Sequence, residues 1–549
     1  MKQIKGWIVD VLFKKTFPGA ITIADGKLLK VEHLAETDVP QRYIMPGFVD
    51  AHIHIESSML APSEFAKIAV QHGTVATVSD PHEIANVCGV EGVNYMIANG
   101  KTTPFKFNFG APSCVPATAF ETAGAVIDSK DIEDLLQRDD IKYLAEMMNF
   151  PGVLFDDAEV MKKLEAAHKY GKPVDGHAPG LRGKDIEKYC AAGISTDHEC
   201  VALDEGQEKA DLGMKILIRE GSAAKNFNAL IPLLKSHPSQ IMFCSDDKHP
   251  DDLLNGHINE LVVRALADGC NLFDTLYAAC VHPIVHYKLD VGYLQEEQAA
   301  DFIIVENLTD FKVMATYIDG VCVYQEGKTL FETEKAPLLN QFDCEPIRLE
   351  QLQFALPNSK HTTINVIEAL DGQLITNPIT YQIASSEQFL SSIIADDILK
   401  IVVVNRYQNA PVAIGFIKNF GLKKGALAST VAHDSHNIVA VGANDDALCK
   451  VINDLIATKG GIAVYDEQES HILPLPIAGL MTNEPVQFVG QMYSQLTAKA
   501  KALGATLHAP FMTLSFMALP VIPALKMTDK GLFNVTTFNY EPVIVAPKA

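Results

Sequence analysis

Between residues 46 and 290, short apolar runs alternate with stretches of helical periodicity, and few folds accept that pattern. Thr74–Ser79 is one such run, and Ser63 to Val70 ahead of it has helical spacing. Lys142 to Ala145, Pro173 to Asp175 and Ile241 to Cys244 are further candidate strands. Strands separated by helices rather than tight turns predict a parallel sheet. A span of about 245 residues is the usual size of an eightfold β/α barrel, so the expected class is α/β with a TIM-like (β/α)8 barrel.

The flanks read differently. Ile21 to Ile23 and Leu28 to Val31 surround Asp25-Gly26, a dipeptide that favours a tight hairpin. Strand-like runs return at Asp301 to Val305 and at Thr316 to Val323. Two β-rich segments bracketing the barrel predict a small split β-sandwich domain built from residues 1–45 and 291–335. The polar, proline-containing stretch from Ala336 to Glu350 reads as a linker, leaving a C-terminal α/β domain over 350–549. At about 150 residues per domain, the 549-residue length agrees with three or four units.

Composition narrows the function classes. The chain has 68 acidic against 45 basic side chains, a formal charge of −23, which opposes binding to a polyanion such as nucleic acid. Ten cysteines with no Cys-x-x-Cys pair suggest neither a disulfide framework nor a zinc ribbon. The first residues lack the basic-then-apolar run of a signal peptide. Ala502 to Leu525 carries no charged side chain but holds Pro510, Pro520 and Pro523, which would leave backbone groups unpaired in lipid; buried core is expected instead. A soluble cytoplasmic protein without membrane partners follows as an expectation.

The chemistry concentrates at strand ends. In Asp50-Ala51-His52-Ile53-His54, strand alternation sends His52 and His54 to one face, where they can share a metal ion. His177, His198 and Asp246 each follow a candidate strand, the position at which barrel enzymes place their catalytic groups.

This order of ligands resembles the amidohydrolase superfamily and, within it, the bacterial adenine deaminases. The resemblance rests on Pro46–Met59 (PGFVDAHIHIESSM), Asp80–Val87 (DPHEIANV), Ala145–Gly152 (AEMMNFPG), Asp175–Gly180 (DGHAPG) and Asp246–Leu253 (DDKHPDDL). In the tail it continues in Ala432–Asn437 (AHDSHN) and Leu473–Leu480 (LPLPIAGL), and so covers essentially the whole chain. It implies hydrolytic deamination of adenine to hypoxanthine and ammonia, with two divalent ions per chain activating the attacking water. His52, His54, His177, His198 and Asp246 would be ligands, Glu146 would bridge the ions where many relatives use a carbamylated lysine, and Asp246 would also move the proton. Mixed imidazole and carboxylate donors admit Mn, Fe or Zn, and the resemblance favours Mn or Fe(II).

It further implies that His82 is a catalytic-pocket histidine, able to orient the attacking water or assist ammonia departure. Glu56, Glu83 and Glu199 are acidic neighbours of these groups, candidates for orienting ligands or holding substrate. His433 and His436 lie in a polar loop that either makes a surface turn or reaches the barrel mouth, from its own or a neighbouring subunit. A homo-oligomer, with a dimer favoured, is expected. A cyclic-amide hydrolase of the dihydroorotase or hydantoinase type would share the metal ligands, but would usually carry a lysine where Ala145-Glu146 stands. A non-catalytic metal- or nucleobase-binding protein would lack a ligand, and none is missing.

Overall fold

The computed structural model describes residues 1–222, 224–357, 361–383 and 388–545. Its centre is a ring of eight parallel strands: Phe48–Ile53, Thr74–Ser79, Lys106–Ala111, Ile141–Met147, Val174–Gly176, Thr196–Asp197, Lys215–Arg219 and Ile241–Cys244. The first five pair in sequence order, as do the last three. A parallel bridge between Val174 and Ile194 joins the two arcs, and one between Ile53 and Asp246 closes the ring. Helices such as Pro62–Ala69, His82–Gly100 and Ala158–Lys169 run between the strands and cover the barrel. All six residues of Thr74–Ser79 are buried, the signature of a parallel strand covered on both sides. Gly47 admits strand 1 against strand 2, since a Cβ there would lie 2.3 Å from Val75 Cγ1.

Strands from both flanks share one eight-stranded sheet. Tyr43–Pro46 is the splice, pairing parallel with Lys2–Asp10 and antiparallel with Phe302–Val305. Asp25 and Gly26 form the two-residue turn between Ala24 and Lys27, both at positive φ (50° and 77°), the geometry of a type I′ hairpin.

Residues 330–348 contain neither helix nor strand and run along the barrel toward a second eight-stranded sheet. Tyr95 of the barrel donates to Pro337 O at 2.9 Å. The fully buried Arg406 pins the same stretch, donating to Asn340 Oδ1 (2.7 Å) and Gln341 O (3.0 Å). The second sheet carries the helix Asp445–Thr458 on one side, and the segment after Ala502 folds into the short buried helix Pro510–Phe516. No helix among the described residues is long and apolar enough to cross a membrane.

Ion pairing inside the barrel wall sets up a stability test. Lys209 is fully buried and donates to Asp197 Oδ2 (2.7 Å), Glu205 Oε1 (2.8 Å) and Ala178 O (2.7 Å). Asp197 in turn accepts from the Ala178 N–H, so this lysine ties together the strand ends that carry His177 and His198. Lys209→Met leaves two carboxylates without their cation and is expected to destabilise the fold by about 3–5 kcal/mol. A urea-unfolding midpoint equal to that of the parent protein would refute this account.

Candidate active site

Six donors converge at the C-terminal mouth of the barrel. His52 lies in strand 1 and His54 one residue past its end, and their Nε2 atoms are 3.2 Å apart. Glu146, from strand 4, stands between two histidine pairs. Its Oε1 is 2.9 Å from His54 Nε2 and 3.4 Å from His52 Nε2; its Oε2 is 2.7 Å from His177 Nδ1 and 3.4 Å from His198 Nε2. Strand placement rules out a helix-terminal role for Glu146. Asp246, just beyond strand 8, brings Oδ1 to 3.6 and 3.4 Å from the Nε2 atoms of His52 and His54.

This set fits a divalent cation on its own chemistry. Two groups of three among these side chains, His52 with His54 and Asp246 and His52 with Glu146 and His198, hold ligand atoms within 4.8 Å of one another, and all are buried; His177 is the least buried of the six donors. Glu146 Oε1 is buried and has no hydrogen-bond donor among the described residues. His54 Nδ1 faces the Asp80 carbonyl at 3.1 Å; donating there leaves the Nε2 lone pair facing the cluster. Burial alone would raise Glu146, but His198 and His177 hold its carboxyl well below the usual range. Burial likewise opposes ionisation of Asp246, yet the Arg219 guanidinium and His52 keep it well below its ordinary value. Two buried, ionised carboxylates beside imidazole nitrogens are the donor chemistry of a divalent-cation site.

Arg219 is not among the residues the sequence singles out. It ends strand 7, is buried, and donates through Nη1 to Asp246 Oδ2 (2.7 Å) and through Nη2 to Glu199 Oε2 (2.9 Å). The signal was available: it is the polar residue closing the run Lys-Ile-Leu-Ile-Arg, the same position that picks out the other groups. Asp80 was equally legible, and its Oδ2 lies 2.9 Å from His82 Nδ1.

Residues 43–323 match the amidohydrolase family, and residues 373–539 match the adenine deaminase C-terminal domain. A curated adenine deaminase of Salinibacter ruber is 52% identical over 540 residues, covering 98% of each chain. One from Methanosarcina mazei is 50% identical over 550 residues, covering 98% of this chain and 99% of its own. The chain belongs to the adenine deaminase family.

In this member of the adenine deaminase family, both matched regions line one small cavity at the barrel mouth. The donor cluster forms its floor; Phe516, Leu519, Val521 and Ile522 of the C-terminal region form its roof. His82 opens the helix after strand 2 and lines the cavity, buried rather than exposed. Glu83 beside it is gripped by two histidines of the C-terminal loop, His433 Nδ1 on Oε1 and His436 Nε2 on Oε2. The loop 432–437 is therefore buried at the barrel mouth of its own chain and is not a surface turn. Burial would lower His433, but Glu83 pushes it up to about 9; burial wins for His436, which is lowered. Glu199 lines the cavity on Arg219. Glu56 does not line it: Glu56 accepts from the Ile84 N–H behind the site, and burial raises it to about 7.

Proposed function

We propose that the chain hydrolyses adenine to hypoxanthine and ammonia. The observation that carries this reading is Glu146, which spans two histidine pairs with one oxygen on each in a chain of the adenine deaminase family. His52, His54 and Asp246 would hold one divalent ion and His177 and His198 a second, with Glu146 bridging; Mn or Fe(II) is favoured and Zn possible. Bound there, such ions lower the pKa of a water molecule towards neutrality.

The chain's own groups do the rest. Asp246 takes the proton of the attacking water and passes it to the ring or the leaving amine. Arg219 fixes the Asp246 carboxylate through its other oxygen, so that Oδ1 stays turned to the donor cluster. His82, oriented by Asp80, stands beside Glu146 with Nδ1 3.5 Å from Oε1 and assists departure of ammonia. Glu83 and Glu199 line the cavity, His433 contributes to holding the purine, and His436 acts by fixing Glu83. Glu56 supports the helix that carries His82 and Glu83.

The division into a split β domain (1–45 with 291–335), a barrel (46–290) and a C-terminal domain (350–549) belongs to the same reading, supported by the shared flanking sheet. So do a homo-oligomeric state, with a dimer favoured, a cytoplasmic location, and a small-molecule substrate rather than a nucleic acid. The cyclic-amide alternative loses support because a carboxylate, not a lysine, occupies the bridging position on strand 4.

The test is ammonia release from adenine, adenosine, cytosine, dihydroorotate and hydantoin. Adenine is expected to exceed adenosine in kcat/KM by at least ~10³-fold, since a closed site built around one ring system leaves polar groups unpaired or clashing with others. Comparable values for adenine and adenosine, or turnover of the cyclic amides alone, would overturn the assignment.

A further inference from the structure

Outside Glu146 and Arg219, two cavity-lining side chains hold a buried polar atom without a partner among the described residues: His433 Nε2 and Asp434 Oδ2. They are consecutive, they come from the C-terminal loop, and each is only 3% exposed. Buried polar atoms are almost always paired, so two from consecutive residues lining one cavity mark the place of a ligand with a matching pair.

Their position identifies the edge they meet. His82 Nδ1 lies 3.5 Å from Glu146 Oε1, and His82 Nε2 lies 3.9 Å from Asp434 Oδ1. Asp434 thus stands on the far side of the His82 imidazole from Glu146, set back from the donor cluster at which the amino-bearing carbon would react. In adenine the ring atom opposite C6 is N3, and N9 is joined to it through C4. The free base presents there a lone pair on N3 beside a hydrogen on N9.

The protein side is complementary. His433 cannot rotate freely: its Nδ1 is on Glu83, its ring stacks on Phe516 (centroids 4.7 Å apart, planes at 18°), and its backbone N–H meets Ser515 Oγ at 3.4 Å. With Nδ1 facing a carboxylate, Glu83 favours the imidazolium, which puts a second N–H at Nε2. Asp434, as a carboxylate, only accepts. Consecutive residues of the cavity wall thus offer a donor and an acceptor, complementary to an acceptor and a donor on the base.

We propose that His433 and Asp434 read the base edge opposite C6, His433 Nε2 donating to N3 and Asp434 Oδ2 accepting from N9–H. This rests on the deaminase reading and gives it an atomic cause for preferring the free base. A nucleoside has no N9–H, so it would leave the Asp434 carboxylate buried and unpaired while pressing a sugar against it. The C-terminal region then supplies specificity, while the barrel supplies the chemistry.

The experiment compares adenine, 9-methyladenine and 3-deazaadenine on metal-loaded wild-type protein and on Asp434→Ala. Wild type is expected to prefer adenine over 9-methyladenine by ~10³- to 10⁴-fold in kcat/KM, the rejection typical of a site with an unsatisfied hydrogen-bonding group. It should disfavour 3-deazaadenine by ~10- to 100-fold, the worth of one charged hydrogen bond. In Asp434→Ala the adenine/9-methyladenine ratio should collapse to roughly 10 or below, because the acceptor is gone and the methyl group has room. Calorimetric binding of purine and 9-methylpurine reads the same discrimination without turnover, with metal content and thermal midpoint measured alongside. If Asp434→Ala does not fold, Asp434→Asn retains the shape and is expected to reduce the ratio through loss of charge. A ratio unchanged in a folded, metal-loaded variant refutes the proposal, as does an equal loss on both substrates. Wild-type protein that turns over no adenine would instead sink the deaminase reading, while purine binding would still decide who reads this edge.

Discussion

Glu146→Gln is expected to lower kcat/KM for adenine by roughly three orders of magnitude or more and to take metal with it, since activation of the water depends on the bound ions. Each carboxylate oxygen faces its own histidine pair, Oε1 toward His52 and His54, Oε2 toward His177 and His198. A glutamine has the same shape but offers one oxygen and one NH₂ group. Whichever way it turns, one pair faces a donor that cannot ligate a cation, and the negative charge is lost. Metal per chain, measured by plasma mass spectrometry after reconstitution, should fall from about two to one or less. Because glutamine keeps the length and shape of Glu146 on strand 4, the metal-free protein should still fold, and its thermal midpoint is read alongside. A fully active Glu146→Gln protein with unchanged metal content would sink the bridging role.

Asp246→Asn is the second large effect, with kcat for adenine lowered by ~10²- to 10⁴-fold, the range for a group that transfers a proton in the transition state. Asp246 is held from two sides: Arg219 Nη1 donates to Oδ2 at 2.7 Å, and Oδ1 faces the Nε2 atoms of His52 and His54. Asparagine keeps the length and one oxygen, but it cannot take up a proton. If proton transfer is its task, kcat falls while KM for adenine stays near the parent value. If Asp246 acts only as a ligand, metal content falls in step with activity, and restoring the metal at high concentration restores kcat. Wild-type kcat in a metal-replete Asp246→Asn protein would remove it from the mechanism.

The strands were legible wherever a local rule applies. Thr74–Ser79 and Ile241–Cys244 are continuous runs because a parallel strand is covered on both faces, and the structure gives them those bounds. Asp25-Gly26 declared its hairpin because few other dipeptides accept positive φ at both positions. The His-x-His spacing put two imidazoles on one side of strand 1 because side chains alternate along any strand. Arg219 holds the same strand-end position and is marked by it too.

What strand-end patterns determine stops at the ring of donors. The grip of His433 and His436 on Glu83 joins positions 350 and 353 residues apart, and nothing near any of them in sequence announces the others. Whether the loop 432–437 would be a solvated turn or a buried one depended on where a separate sheet docks, which is a matter of packing between units rather than of periodicity. The same holds for Arg219 on Asp246 and for Asp434 Oδ2, which has no hydrogen-bond partner among the described residues. Periodicity is a short-range property, set by backbone geometry a few residues at a time, and it tells which face a side chain takes. Which charges meet across that face is decided by burial, because ionised groups brought out of water must find partners wherever the folded chain supplies them.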